Sequence, residues 1–355
     1  MAVRVTVLVP VTEPVVTVNE ALVAPEATVT LAGTANCRHG SAFTWTVVSG
    51  SKLIVTDTGN NNGWNFNSKA ATFAGGGTID FQSAFCANGN ALNTMNMSGG
   101  TIILEQTQTS NFGNNASGAF TLTAGTLVFS NATALADTFL NFTNGNVISI
   151  NGGAIDNLSG SAGTINVGGK FNGTAGSLGK YSIGADFTFI GSTNLSFNTN
   201  AVALTATRQI TVSNSTLTIG GPISGSGFGL TKAGAGNLTL GGVNTYTGAT
   251  TVSNGTLALA GSGQLSQSTF LDVMAGATLS VSGRSDQTLT LNSGTVLKGG
   301  GTVLGQLNAL AGSTVSPGEA IGTLTVSGNV TLAGTLVLEN PAKRMDGVRI
   351  HDAGE

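Results

Sequence analysis

The sequence predicts an all-β chain wound as a single right-handed parallel β-helix. Three observations predict it. A short strand word recurs about a dozen times with one grammar. Glycine and asparagine punctuate that word at its corners. No stretch has the length, period and caps of an amphipathic helix. Composition agrees: of 355 residues 53 are Gly and 6 are Pro, with a hydrophobic share of 40% and a charged share of 8%. So much apolar side chain beside so little charge is the opposite of a disordered polymer. The formal net charge is -3, and no Lys/Arg cluster precedes Lys343, which excludes electrostatic binding of nucleic acid. No run of about 18 apolar residues occurs, so no segment reads as a membrane-spanning helix.

The word is Gly or Ser, then Thr, Ala or Asn, then aliphatic residues alternating with Thr or Ser. It appears as GTID at Gly77, GTIIL at Gly100, GTLVF at Gly125 and GTINV at Gly163. It returns as STLTI at Ser215, GNLTL at Gly236, GTLAL at Gly255 and GATLSV at Gly276, then GTVL at Gly294, GSTVS at Gly312, GTLTV at Gly322 and GTLVLE at Gly334. From Gly236 through Gly255, Gly276 and Gly294 to Gly312 the interval is nearly constant, which is the signature of a stacked repeat. From Gly312 to Gly322 and on to Gly334 it shortens to little more than half, which predicts two strands within one turn. Alternation puts Leu257 and Leu259, or Leu324 and Val326, on one face and hydroxyls on the other. Stacking such coils at ~4.8 Å buries columns of Leu, Ile, Val and Phe. Low charge follows, because an inward charge is expensive, while outward Thr, Ser and Asn ladders satisfy one another. A β-sandwich also has short strands, but it does not repeat one word a dozen times.

The expected organisation is a cap or edge strands over 1–50, the parallel β-helix over 51–340 and a charged tail over 341–355. Residues 1–31 alternate Val with Thr or Glu and carry Pro10, Pro14 and Pro25, which suits sheet edges. Arg4 followed by Val5 to Pro10 is too short and too polar for an export signal, so none is expected in this sequence. After Pro341 the charges Lys343, Arg344, Asp346, Arg349, Asp352 and Glu355 read as a solvated tail. Cys37 and Cys86 allow one bridge; a disulfide and two buried thiols both stay open. With His39 and His351 they lack the spacing of a zinc site, and no metal or cofactor is expected.

Residues 229–257 read GLTKAGAGNLTLGGVNTYTGATTVSNGTL. This segment resembles the autotransporter-associated β-strand repeat of secreted bacterial passenger-type β-helices. The matching frame is Gly229, Leu230, Thr231, Lys232, Gly234, Gly236, Leu238, Leu240, Gly242, Asn244, Tyr246, Gly248, Thr250, Val252, Gly255 and Leu257. Looser similarity runs upstream from Arg208, and SPGEAIGTLTVSGNVTLAGTLVLE from Ser316 resembles the closing coils of such passengers. The resemblance implies an extracellular or cell-surface protein and a scaffold without a shared active-site motif. Such proteins also carry a membrane barrel; the stretch after Glu339 is far too short for one, so no barrel is expected in this sequence. The residues themselves give Leu230, Leu238, Leu240, Val252 and Leu257 as inward columns. They give Asn244 and Tyr246, between Gly242 and Gly248, as a turn with an aromatic lid over the coil edge, and Lys232 as a solvated corner.

Parallel β-helices also house polysaccharide lyases and glycosidases, which need clustered carboxylates. No two acids are adjacent here, and none lies between Asp186 and Asp272. The best stacked pair is Asp137 with Asp156, then Asp57 with Asp80; an isolated turn Asp is the commoner meaning. A Ser/His/Asp site would need His39 or His351. The Gly-Lys pairs at Gly169–Lys170 and Gly179–Lys180 lack the Ser or Thr of a phosphate loop, and GGGTID at Gly75 to Asp80 lacks the third Gly of a calcium nonapeptide. Asn60–Asn62, Asn114–Asn115, Asn141, Asn144, Asn146 and Asn151 read as corner ladders; with Trp45 and Trp64 as platforms they would instead make a carbohydrate strip. Regular Thr-x-Thr faces would suggest ice binding, but the Thr spacing is irregular. The expected role is a non-enzymatic adhesin-like stalk or matrix component. A filament subunit joined through open solenoid ends and a carbohydrate-binding or polysaccharide-degrading β-helix are the alternatives. Expected partners are cell-surface glycans or further copies of the chain, with no nucleic acid and no membrane insertion.

Overall fold

A computed structural model describes residues 5–8, 28–32, 43–56, 70–82, 94–105, 119–131, 147–165, 170–171, 174–175, 180–318 and 323–338. Among the described residues there are strands and no helix. The chain divides into two compact units, Met1–Asn200 and Ala201–Glu355. The strands stack in parallel as a β-solenoid, as the repeated word predicts. A small antiparallel hairpin, Lys170–Phe171 with Thr174–Ala175, departs from that pattern.

In the second unit one ladder runs through Arg208–Val212, Leu230–Ala233, Thr250–Val252, Phe270–Val273, Val296–Gly299, Thr314–Pro317 and Thr335–Leu336. A second runs through Thr216–Ile219, Asn237–Leu240, Thr256–Gly261, Thr278–Arg284, Thr302–Leu304 and Thr325–Val326. A third joins Thr288–Leu291, Gln306–Ala309 and Val330–Leu332. Alternation sends every second residue inward. Leu217, Leu238, Leu257, Leu279 and Val303 form one buried column on the second ladder. Each such side chain contributes about 1.5–3 kcal/mol by leaving water.

The even spacing of the words conceals a change of face. The words at Gly236, Gly255 and Gly276 lead into strands of the second ladder, whereas those at Gly294 and Gly312 lead into strands of the first. The closely spaced Thr325–Val326 and Thr335–Leu336 also lie on different ladders. Thr regularity is likewise hidden in the sequence. Thr216, Asn237, Thr256, Thr278, Thr302 and Thr325 stand in one outward column, because unequal coil lengths are absorbed at the corners while the register holds.

In the first unit Val5–Leu8 pairs in parallel with Thr28–Ala32, and that strand with Lys52–Thr56. The ladder continues through Thr78–Phe81 into two 11-residue strands, Thr94–Leu104 and Ala119–Phe129. Each long strand serves two ladders by turning a corner in its middle. The register shifts there, at Ser98, and Gly100 and Gly125 hold the turn with φ of 69° and 87°. The interior is aromatic. Phe73, Phe81, Phe120 and Phe129 are buried, with Phe73 and Phe81 edge to face at 5.7 Å. A cavity of about 10 Å³ lies among Leu122, Leu127, Ile148, Ile155 and Tyr181, room for one water at most.

Candidate functional site

The 229–257 segment spans the first and second ladders of the second unit on consecutive coils. Leu230–Ala233 stacks on Thr250–Val252, with Leu230 on Thr250 and Lys232 on Val252. Asn237–Leu240 stacks on Thr256–Gly261, with Leu238 on Leu257 and Leu240 on Leu259. Leu230, Leu238, Leu240, Val252 and Leu257 are buried, as the alternation requires. Thr231 is half-buried on the outer face of its strand.

Four polar members of the frame, Lys232, Asn244, Tyr246 and Thr250, are inside the coil, and Lys232 and Tyr246 correct the sequence reading. Lys232 is not a solvated corner: it has 0% exposure. Its ammonium donates to the carbonyls of Ala233 at 2.9 Å, Gly234 at 2.7 Å and Asn254 at 3.0 Å. All three ammonium protons are thereby directed at acceptors, two on its own corner and one on the next coil. Burial pulls its pKa from 10.5 down to about 8. The Asn254–Gly255 corner that supplies the third carbonyl is tight. Gly255 sits at φ 65°, and the Asn254 side chain accepts from its N–H at 2.7 Å.

Tyr246 is not a lid over an edge but a core residue, 1% exposed. Its hydroxyl lies 2.7 Å from the Thr250 hydroxyl, which lies 3.0 Å from that of Ser268. Ser268 in turn donates to the Gly248 carbonyl at 2.7 Å. Burial raises the phenol pKa well above its usual value, with the Thr250 hydrogen bond a smaller opposing effect. Asn244 is buried between three coils. Its Oδ1 accepts from the Ile223 N–H at 3.0 Å, and its Nδ2 donates to the Gln264 carbonyl at 2.9 Å. One side chain thus pairs the Ile223 N–H on one side and reinforces the backbone bridge to Gln264 on the other.

The alternative sites resolve less favourably. Asp156 is buried and accepts from the Ser192 N–H at 2.9 Å, the Ser192 hydroxyl at 2.7 Å and the Asn157 N–H at 2.9 Å. That is a turn staple, and Asp137 lies outside the described residues. Asp80 is buried against Lys52, with Nζ 2.7 Å from Oδ2, and Asp57 lies outside the described residues. Trp45 is half-buried, with its ring on Phe73 at 5.5 Å and Phe81 at 6.4 Å. Asn151 is exposed. Cys37, Cys86, His39, His351, Trp64, the charged tail and the remaining Asn clusters lie outside the described residues. Among the described residues no group of three or more His, Cys, Asp or Glu is placed to hold a metal ion.

The buried frame is matched from outside the chain. The family model of the Passenger-associated-transport-repeat fits residues 230–259. The chain carries a transport repeat of the autotransporter passenger type. The match begins at Leu230 and ends at Leu259, so the transport repeat takes in the inward leucines, Lys232, Asn244 and Tyr246 together. No curated protein and no solved structure matches the chain. Lys232, Asn244 and Tyr246 make the transport repeat an internal structural unit, with these polar side chains directed at coil contacts while Asn237, Thr245 and Asn254 face solvent.

Proposed function

We propose that the chain is a non-enzymatic passenger module, displayed outside a bacterial cell as an adhesin-like or structural element. The observation that supports it most is the transport repeat lying on consecutive coils of a parallel β-solenoid. Such a backbone is a scaffold first: its hydrogen bonds run between coils, and its outer face presents columns such as Thr256, Thr278 and Thr302. Polar and nearly uncharged, that face suits extended hydrogen-bonding partners, and we take cell-surface glycans or further copies of the chain as the partner classes. The two described carboxylates with the strongest claim to catalysis, Asp80 and Asp156, are occupied by Lys52 and by Ser192. That supports a scaffold over a hydrolase.

Antibodies raised against residues 180–318 test the location on intact producing cells. Labelling of intact cells, lost after external protease, or recovery in the medium is the expected result. Labelling that requires lysis overturns the proposal. A glycan array and sedimentation over a concentration series then separate ligand display from self-association. Turnover of any acidic or neutral polysaccharide by the purified chain would defeat the non-enzymatic part.

A further inference from the structure

A solenoid built from one word has a register problem. The strands Asn237–Leu240, Thr256–Gly261 and Thr278–Arg284 all begin with Asn or Thr followed by Leu, and each buries alternate aliphatic side chains. Skipping a coil, so that Asn237–Leu240 stacked directly on Thr278–Arg284, would bury nearly the same apolar set. Hydrophobic pattern alone therefore specifies which coil follows which only weakly.

Lys232 breaks that degeneracy. It is the one Lys between Lys180 and Lys298, and it points inward in a column where Val252 and Val273 follow. Its ammonium is satisfied only where two conditions meet. Its own corner must present the carbonyls of Ala233 and Gly234, and the coil stacked on it must present a carbonyl at the place of Asn254. The corner after Val252 is Ser253, Asn254 and Gly255. The corner after Val273 is longer, with Met274, Ala275, Gly276 and Ala277 before Thr278. A skipped coil would thus meet the ammonium with a corner of different length. A second contact belongs to the same seam: Ser253 donates to the Lys232 carbonyl through its N–H at 2.9 Å and its hydroxyl at 3.0 Å.

We propose that Lys232 is a register key. Its buried ammonium accepts the coil that carries Asn254 and rejects the similar coils beyond it. The physical basis is the asymmetry of buried charge. A fully hydrogen-bonded ammonium adds little net stability, and its apolar replacement is neutral or stabilising. In a mispaired core the same buried ammonium keeps its own-corner carbonyls but loses the acceptor at Asn254, and a buried charge short of a partner is penalised. Single buried polar groups set strand number and register in coiled coils by the same means.

The test uses the full chain with Cys37 and Cys86 changed to Ser. One form carries N237C with T256C, neighbouring partners in the native ladder. A second carries N237C with T278C, which lie two rungs and so ~9.6 Å apart, beyond disulfide reach unless a coil is skipped. Each is unfolded, refolded, oxidised and scored by mass spectrometry, with and without K232M. The expected result is that K232M folds with an equal or higher thermal midpoint, yet raises the 237–278 cross-link at least tenfold relative to the Lys232 parent. A K232M chain that refolds with the parent's cross-link ratio overturns the proposal. So does a K232M chain that does not fold, because Lys232 would then be a stabilising element and not a discriminating one.

Discussion

The two units reach the same parallel stacking with different fillings. Phe is concentrated in the first: after residue 200 only Phe228 and Phe270 remain of the 16 in the chain. A lap of the first unit also takes more chain, since Ile102 pairs with Leu127 and Leu127 with Ile155. Laps through the transport repeat are shorter, with Leu230 paired to Thr250 and Leu238 to Leu257, whereas farther on Phe270 reaches Val296 by a lap as long as those of the first unit. The longer coils are filled by Phe73, Phe81, Phe120 and Phe129, the shorter ones by Leu and Val. Interiors pack to crystal density, so coil length and side-chain volume must rise together. The shorter coils of the transport repeat also admit polar groups, and there each one is tied to a neighbouring coil: Lys232 to Asn254, Asn244 to Ile223 and Gln264, and Tyr246 through Thr250 to Ser268. The contrast separates two ways of holding coils together, by volume in one region and by directed hydrogen bonds in the other.

Substitutions that remove volume from the first unit should have the largest effect. Phe81→Ala leaves a cavity beside Phe73 and Trp45 and should cost about 3–5 kcal/mol, read from urea unfolding. Asn244→Ala removes no comparable volume but strands the Ile223 N–H and leaves the Gln264 carbonyl only its bond from the residue 244 N–H, so a loss of about 1–3 kcal/mol is expected, with faster hydrogen exchange at Ile223. If Asn244→Ala is silent, directed bonds do not hold the shorter coils. The exchange of fillings sharpens the comparison from the other side. Leu238→Phe overfills a narrow coil and should cost about 1–3 kcal/mol in the same urea measurement. Tyr246→Phe deletes one hydroxyl contact and should cost about 1 kcal/mol.

Alkaline pH is expected to shift stability by about 2 kcal/mol between pH 8 and 10, and its sign is informative. Lys232 titrates near 8 in the folded chain and near 10.5 when unfolded. Between those values the unfolded chain holds more protons, so stability rises with pH, by about 1.4 kcal/mol per unit at most. Tyr181 and Tyr246 act oppositely. Burial raises both, so above about pH 10 the unfolded phenols ionise while the folded ones do not, and stability falls. A thermal midpoint that climbs from pH 8 to 10 and then drops is expected, and K232M should flatten the climb while leaving the drop. A midpoint that declines steadily from pH 8 would contradict the desolvated state of Lys232.

The architecture was legible because a solenoid writes one strand word per rung, and alternation alone placed Leu230, Leu238, Leu240, Val252 and Leu257 correctly. Lys232 was legible by the same rule. It stands two positions after Leu230, in phase with the inward face, but a lysine is ordinarily solvated, and that general preference masked the local period. Tyr246 and Asn244 were harder, since glycines flank them and a Gly-rich stretch reads as a surface turn. Nothing local announces that Asn244 finds Ile223 on the coil before it and Gln264 on the coil after it. The ladder to which each word belongs was also invisible, because corners of unequal length shift strands between faces without disturbing the spacing of the glycines.

Spin labels on the outward column of the second unit test the stacking most directly. Thr216, Thr302 and Thr325 occupy the first, fifth and sixth rungs of one ladder. Backbone separations of about 19 Å for Thr216 to Thr302 and about 24 Å for Thr216 to Thr325 are expected, one interstrand step per rung. A Thr216–Thr325 separation equal to or shorter than Thr216–Thr302 would contradict a chain that winds its strands in parallel along one ladder.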